Sequence, residues 1–466
     1  MEEAVVKTDS SSYFDLQSLL KNPVRFGPCF IEPLGHWDTL YTPVNIVESI
    51  NNTATDTQVV HSFESPQSSD SESPIARPSI VLFSSDQLLH SWTCIRPPAP
   101  GLINVGNTCY LNSVLQILSH VPPFVQYLLA GHHSSQCQMS ACIFCKMEKH
   151  VAQCYPSDGS RPVRAFKPLH IVGALKWISK RFQPYRQEDA HEFLRCLLGE
   201  MQRSCIYPYK DLDFASQETT VIYKIFGGYL RQQVKCLKCN DISNTYPVYL
   251  DLSLDLMGTS IEEALDMYVR EEMLTQSNRY KCEKCKILVD FQKKSSIYIL
   301  PPILTLHLKR FSFNKAFKMS KITRHIRYGE TLELTSYMSQ KKQNPIIYDL
   351  IGIIVHSGND TRCGHYYSFC KTSNGTWLHF NDDMVSTVSL QTVLKQQAYI
   401  LLYSRSNSSK YTDFNNFSKM LFSFNSLDKI QFHKQNHNSD SNQETFKRLK
   451  YDNNLSSTIE DTGVLI

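Results

Sequence analysis

From about Pro98 to Arg405, apolar residues recur without a break, first at helical spacing and then at the alternation of strands. That pattern predicts an α+β domain over residues 98–405, with helices leading into a sheet-rich half. No fixed-period repeat is visible, which argues against solenoids and propellers. The flanks differ. Residues 1–95 carry a patch of Ser, Pro and acids, Glu64 to Pro74, that cannot bury enough apolar surface to offset the entropy of ordering. Residues 406–466 are rich in Asn, Ser and Lys with no sustained period, so both flanks are predicted to be mostly disordered arms.

Lys and Arg number 48 against 44 Asp and Glu, a balance that by itself calls for neither nucleic acid nor membrane as a partner. The 15 cysteines sit in a long chain, several as C-x-x-C pairs and without a secretory signal, which favours reduced thiols over a disulfide scaffold. No run of 18 apolar residues occurs. A soluble protein of the cytoplasm and/or nucleus is expected, and no heptad run indicates its oligomeric state.

The segment Gly101 to Asn112 places glycines and Asn ahead of a helix whose Leu111, Val114, Leu115 and Leu118 recur at i, i+3, i+4 and i+7. Cys109 therefore opens that helix. There the positive end of the dipole and unpaired N–H groups favour thiolate, the form that attacks carbonyls. Asn104, in the glycine-flexed loop, can aim its side-chain amide together with the Cys109 main-chain N–H at a developing oxyanion. Taken alone, a cysteine is more often a small buried hydrophobe.

Two strand-like runs, Ile353 to His356 and His365 to Phe369, are joined by a glycine-bearing loop; the hairpin signal Ser373-Asn374-Gly375 then leads to Trp377 through Asp382. Antiparallel pairing brings His365 near Asn381 and makes it a candidate base held by an amide or carboxylate partner. Asn381 and Asp382 both stand where that partner is needed. Alternation sends them to opposite faces unless the strand has ended, so Asn381 is expected in direct contact, with Asp382 supplying charge.

Asp189 and Glu192 lie beside the apolar stripe Ala190, Phe193, Leu194 and Leu197, either as a solvated acidic face or as a grip for a basic peptide. Cys236, Cys239, Cys282 and Cys285 form two C-x-x-C knuckles separated by a long insertion and point to structural zinc; no organic cofactor is indicated. Cys137, Cys142, Cys145 and His150 are a second, weaker candidate set. The basic run from Lys309 to Arg327 reads as a solvated face, since no aromatic residues are interleaved as a stacking platform.

The cysteine box, Gln187-Glu-Asp-Ala-His-Glu-Phe193, the knuckles, Lys309-Arg-Phe311, Gly364-His-Tyr-Tyr367 and Trp377-Leu-His-Phe-Asn-Asp382 closely resemble, in order, the motifs of the ubiquitin-specific proteases. These are papain-like deubiquitinases, and the likeness is nearest to the compact subgroup that includes the nucleolar deubiquitinase. The resemblance implies a helical thumb from Pro98, zinc-ribbon fingers at about residues 220–300 and a palm sheet. It also implies ubiquitin and ubiquitinated proteins as partners, contacted through Asp189, Glu192, Gly364 and Tyr366. Loops around Ser312 to Ser320 and Ser357 to Cys363 would flank the ubiquitin tail. The implied reaction is hydrolysis after ubiquitin's last Gly through a Cys109 thioester, with Asn381 as the family's usual third member. The alternatives are a weak or inactive ubiquitin-binding module and a zinc-ribbon adaptor.

Overall fold

The computed structural model describes residues 73–156, 163–313, 319–360 and 363–406. Most of the Glu64 to Pro74 patch, the tail beyond residue 406 and the centre of the Ser312 to Ser320 loop lie outside the described residues.

The longer helices of the thumb include α1 (Cys109–Leu118), α2 (Pro122–Leu129), α3 (Ile143–Cys154) and α4 (Ala190–Ile206). Every residue of α1 is buried, because the helix lies between α4 and the palm sheet and has no solvent face. Its polar members are therefore bonded inside: Ser113 Oγ donates to Tyr110 O at 2.9 Å and Gln116 Nε2 to Pro100 O at 2.7 Å. Two prolines open α2, where a missing N–H costs no helical bond.

Residues 73–95, expected as part of a disordered arm, instead run along the thumb. Ile80 N donates to Ser216 Oγ at 2.9 Å and Phe83 N to Thr219 O at 3.1 Å. The Gln126 side chain binds Leu89 O, Ser91 O and Thr93 N at 3.0–3.1 Å. Polar anchoring of this kind leaves no apolar period in the sequence.

The fingers are a ribbon in the order β2-β1-β5-β4, formed by β1 (Gly228–Cys236), β2 (Ile242–Thr245), β4 (Glu272–Leu274) and β5 (Phe291–Ile299). The palm sheet adds β3 (Leu252–Leu254), β6 (Ile303–Leu308), β9 (Ile347–Asp360), β10 (Cys363–Lys371), β11 (Trp377–Asn381), β12 (Met384–Val388) and β13 (Ala398–Arg405). Its order is β12-β11-β10-β9-β13-β6-β3, with only β6 and β3 parallel. The hairpin β7 (Phe311–Phe313) and β8 (Met319–Lys321) stands beside β9.

One member of the basic run is not on a solvated face. Arg310 is fully buried, and its guanidinium donates to the carbonyls of Ile322 at 2.9 Å and Arg324 at 3.0 Å and to Ala398 O. Arginine's five donors can tie three chain segments together where no carboxylate is needed.

Candidate active site

The loop before α1 is pressed against the turn between β11 and β12. A side chain on Gly101 would meet Asp383 O at 2.4 Å, and Leu102 N donates to Asp382 O at 2.8 Å. Asn104 Oδ1 accepts from Gly106 N at 3.0 Å and Thr108 N at 3.1 Å, which holds the loop at the N-terminus of the helix that Cys109 opens. Asn104 Nδ2 donates to Asp382 Oδ2 at 3.0 Å.

His365 comes from β10. The last pairs of β10 and β11 include Ser368 with Phe380, so Asn381 falls opposite Tyr367, and His365 lies diagonally on the same face. The distance from His365 Nε2 to Asn381 Oδ1 is 2.6 Å. Its hydrogen bond with Cys109, reinforced by the Asn381 oxygen and the nearby charges of Cys109 and Asp382, raises the imidazole to about 9 despite desolvation. The imidazolium is thus the favoured form at neutral pH.

Asp382 points elsewhere. The strand has ended at Asn381, and Asp382 has φ of 51°, in the left-handed region. The turn swings its carboxylate to the α1 loop, where Oδ2 takes Asn104 Nδ2 and Oδ1 takes Asn112 Nδ2 at 2.8 Å. Asn112 also donates to Leu102 O at 3.1 Å. The sequence signal for this role is an amide in a helix that buries every residue.

Asp189 is the N-cap of α4: Oδ1 accepts from Glu192 N at 2.9 Å, and Oδ2 accepts from Tyr399 Oη at 2.6 Å. Glu192 Oε1 lies 3.3 Å from exposed Arg181. Gly364 is gripped on both sides of its main chain by Gln187, whose Nε2 donates to Gly364 O at 2.7 Å and whose Oε1 accepts from Gly364 N at 3.0 Å. A side chain there would strike His356 Nε2 and Ser357 O within 2.4 Å. Tyr366 is buried, its ring packed on His356 and Tyr399.

The knuckle cysteines converge. Cys239 and Cys282 sulfurs are 3.7 Å apart and those of Cys236 and Cys285 4.0 Å, whereas tetrahedral zinc with Zn–S bonds of about 2.3 Å sets an edge of about 3.8 Å. The two knuckles repeat one geometry. Asn240 and Lys286, each just after the second cysteine, have φ of 58° and 59° and donate to Cys236 O and Cys282 O at 2.9 and 2.7 Å. Donor type and spacing both fit zinc, which there stabilises the tips of the ribbon. In the thumb, Cys137, Cys142 and Cys145 gather, but His150 does not join them. It lies five residues after Cys145 in α3, about 140° around the helix, with Nε2 3.5 Å from Ser119 Oγ and 3.8 Å from Cys154 Sγ.

A thiol at a helix start, an imidazole against it, an amide behind the imidazole and a second amide beside the thiol, held between a helical layer and a β-sheet, define a cysteine hydrolase of the papain-like type. Residues 100–403 match the family model described as ubiquitin carboxyl-terminal hydrolase. The probable ubiquitin carboxyl-terminal hydrolase 16 of Schizosaccharomyces pombe is 47% identical over 416 residues, 84% of this chain and 91% of the yeast protein. Human ubiquitin carboxyl-terminal hydrolase 42 is 40% identical over 72% of this chain, which spans only 25% of the human protein. The solved SAGA DUB module of Ubp8, Sgf11, Sus1 and Sgf73 bound to ubiquitin aldehyde superposes with a TM-score of 0.61 at 30% identity, covering 70% of this chain and 73% of the solved one. The chain belongs to the ubiquitin carboxyl-terminal hydrolase family and is a cysteine-type deubiquitinase, with ubiquitin as its substrate.

Proposed function

We propose that Cys109 attacks the carbonyl of ubiquitin's last Gly, in isopeptide or peptide linkage, and that His365 passes its proton to the departing amine. Water, deprotonated by the same imidazole, then hydrolyses the thioester and frees ubiquitin and the thiol. Asn381 fixes the ring of His365, while the Asn104 amide and the Cys109 N–H receive the oxyanion. The observation that carries this reading is the His365 ring held between the Cys109 thiol and Asn381 Oδ1 at 2.6 Å.

Ubiquitin bearing a C-terminal thiol trap tests it. A covalent adduct that Cys109→Ala abolishes is expected. Binding without an adduct would leave a ubiquitin-binding module, and no binding would leave the zinc-ribbon adaptor. The near balance of 48 basic and 44 acidic residues favours neither nucleic acid nor membrane as a partner. None of the described cysteines is paired in a disulfide, which suits a reducing compartment, so we place the enzyme in the cytoplasm and/or nucleus.

We also assign Asp189 and Glu192 to the basic residue of the ubiquitin tail. Asp189→Asn keeps an N-cap acceptor for α4 and removes the charge, so it separates binding from folding. In a Cys109→Ala background it is expected to weaken ubiquitin binding about tenfold, as loss of a charge-assisted bond does, with the melting temperature nearly unchanged. Unaltered affinity by calorimetry would return Asp189 to a purely structural role.

A further inference from the structure

We propose that Lys321 is a positioning residue for His365 that acts through the backbone of β9, a role that rests on the reading of His365 as the base.

Lys321 ends β8, which stands beside β9. Pairing of β9 with β13 stops at Val355 opposite Ala398, and β9 runs on past it toward the site. Lys321 takes over where that ladder ends. Its ammonium donates to His356 O at 2.7 Å and to Gly358 O at 2.8 Å. His356 Nδ1 is a third acceptor at 3.3 Å, which matches the three donors of a lysine. The ammonium also lies 5.9 Å from the centre of the Phe311 ring, which packs edge-on against His356.

The bonded carbonyls belong to the irregular part of the β9–β10 ladder. Ser357 pairs with His365, but the next pair is Asp360 with Cys363, so β9 carries one residue more than β10. A bulge bends its strand and re-aims the side chains around it, here that of the base. The two backbones touch at this point: a side chain on Gly358 would meet Cys363 O at 2.5 Å and Gly364 Cα at 2.7 Å. From the thumb, Gln187 holds both main-chain groups of Gly364. Residues 363–365 are thus fixed between the Gln187 amide and, through the bulge, the Lys321 ammonium. The bulge needs that bond because Gly358, at φ of 140°, has the backbone freedom to relax once its carbonyl is released.

Steady-state kinetics on a fluorogenic ubiquitin substrate test the assignment. Lys321→Met keeps the apolar stem and removes the donors. It is expected to lower kcat about tenfold to 10²-fold, the cost of a displaced catalytic group, with the melting temperature nearly unchanged. Inactivation by iodoacetamide at neutral pH should slow as well, because a displaced imidazolium no longer holds the Cys109 thiolate. That readout needs no ubiquitin, so it separates the placement of His365 from binding of the tail. Lys321→Arg, whose guanidinium can donate to two carbonyls, should stay closer to the unaltered enzyme than Lys321→Met in both readouts. A folded Lys321→Met with unaltered kcat, or with slower turnover but unaltered alkylation, overturns the proposal. His365→Ala tells the two levels apart. An active His365→Ala would remove the base and with it the role of Lys321, whereas an inactive one beside an unimpaired Lys321→Met would remove the role of Lys321 alone. Should Lys321→Met fail to fold, reductive methylation of the unaltered chain decides. Dimethylation keeps the charge and takes two of the three donors, so activity should fall as Lys321 is modified, later than exposed Lys341 and Lys342. Full activity with Lys321 dimethylated also overturns it.

Discussion

Asn381→Ala is expected to lower kcat/KM on a fluorogenic ubiquitin substrate by about 10²-fold or more, while Asn381→Asp retains most of the activity. An orienting group that sets the tautomer of a catalytic histidine is worth up to about 10⁴ when it carries a charge, and a neutral amide should give part of that. Asn381 accepts at 2.6 Å from His365 Nε2, which leaves Nδ1 for the thiol. The pH dependence follows from the same contact. Contact with Cys109 and then with Asn381 raises His365 to about 9, so the imidazolium persists below that pH and is lost above it. Removing the amide lowers that value, and the alkaline limb of kcat/KM should move to lower pH in Asn381→Ala. The Cys109 contact remains, so the shift will be partial. A folded variant with an unmoved alkaline limb and nearly full rate would show that the imidazole is oriented by something else.

The parts of this machinery that obey a local rule were legible from residues alone. Cys109 opens a helix because Gly, Asn and Thr precede an apolar period, and the Asn374-Gly375 turn returns the chain so that Asn381 reaches His365. The knuckles announce themselves through C-x-x-C spacing. What stayed hidden depends on contacts distant in sequence. Tyr399 reaches Asp189 across the boundary between thumb and palm, and Gln187 grips Gly364 from another layer. His133, not His150, lies with Cys137, Cys142 and Cys145 because a loop folds back onto the start of α3, which spacing within the helix does not reveal. Arg310 looked like one more cation in a surface run until the fold surrounded it with carbonyls. Asp382 turns away from His365 for a subtler reason. Alternation requires a continuing strand, and here the strand stops one residue earlier.

That displacement gives Asp382 a different task from the one its neighbourhood to His365 suggests, and a double-mutant cycle can expose it. Its carboxylate holds Asn104 Nδ2 at 3.0 Å and Asn112 Nδ2 at 2.8 Å, so its main effect on catalysis should pass through the oxyanion amide. Asn104→Ala is expected to lower kcat by about 10²–10³ with ubiquitin affinity nearly unchanged, as for other oxyanion donors. Asp382→Gly should approach the same loss. Glycine is the informative replacement because the native φ of 51° suits it, whereas alanine there adds backbone strain of about 1 kcal/mol or more. An unpositioned amide contributes little more than a missing one, so the double variant should be scarcely slower than Asn104→Ala alone. The alkaline limb should move less in Asp382→Gly than in Asn381→Ala, since Asp382 is the weakest of the influences that raise His365. Fully multiplicative losses in the double variant would mean that Asp382 acts on His365 directly. Its carboxylate, not the Asn381 amide, would then be the charge that the imidazolium requires.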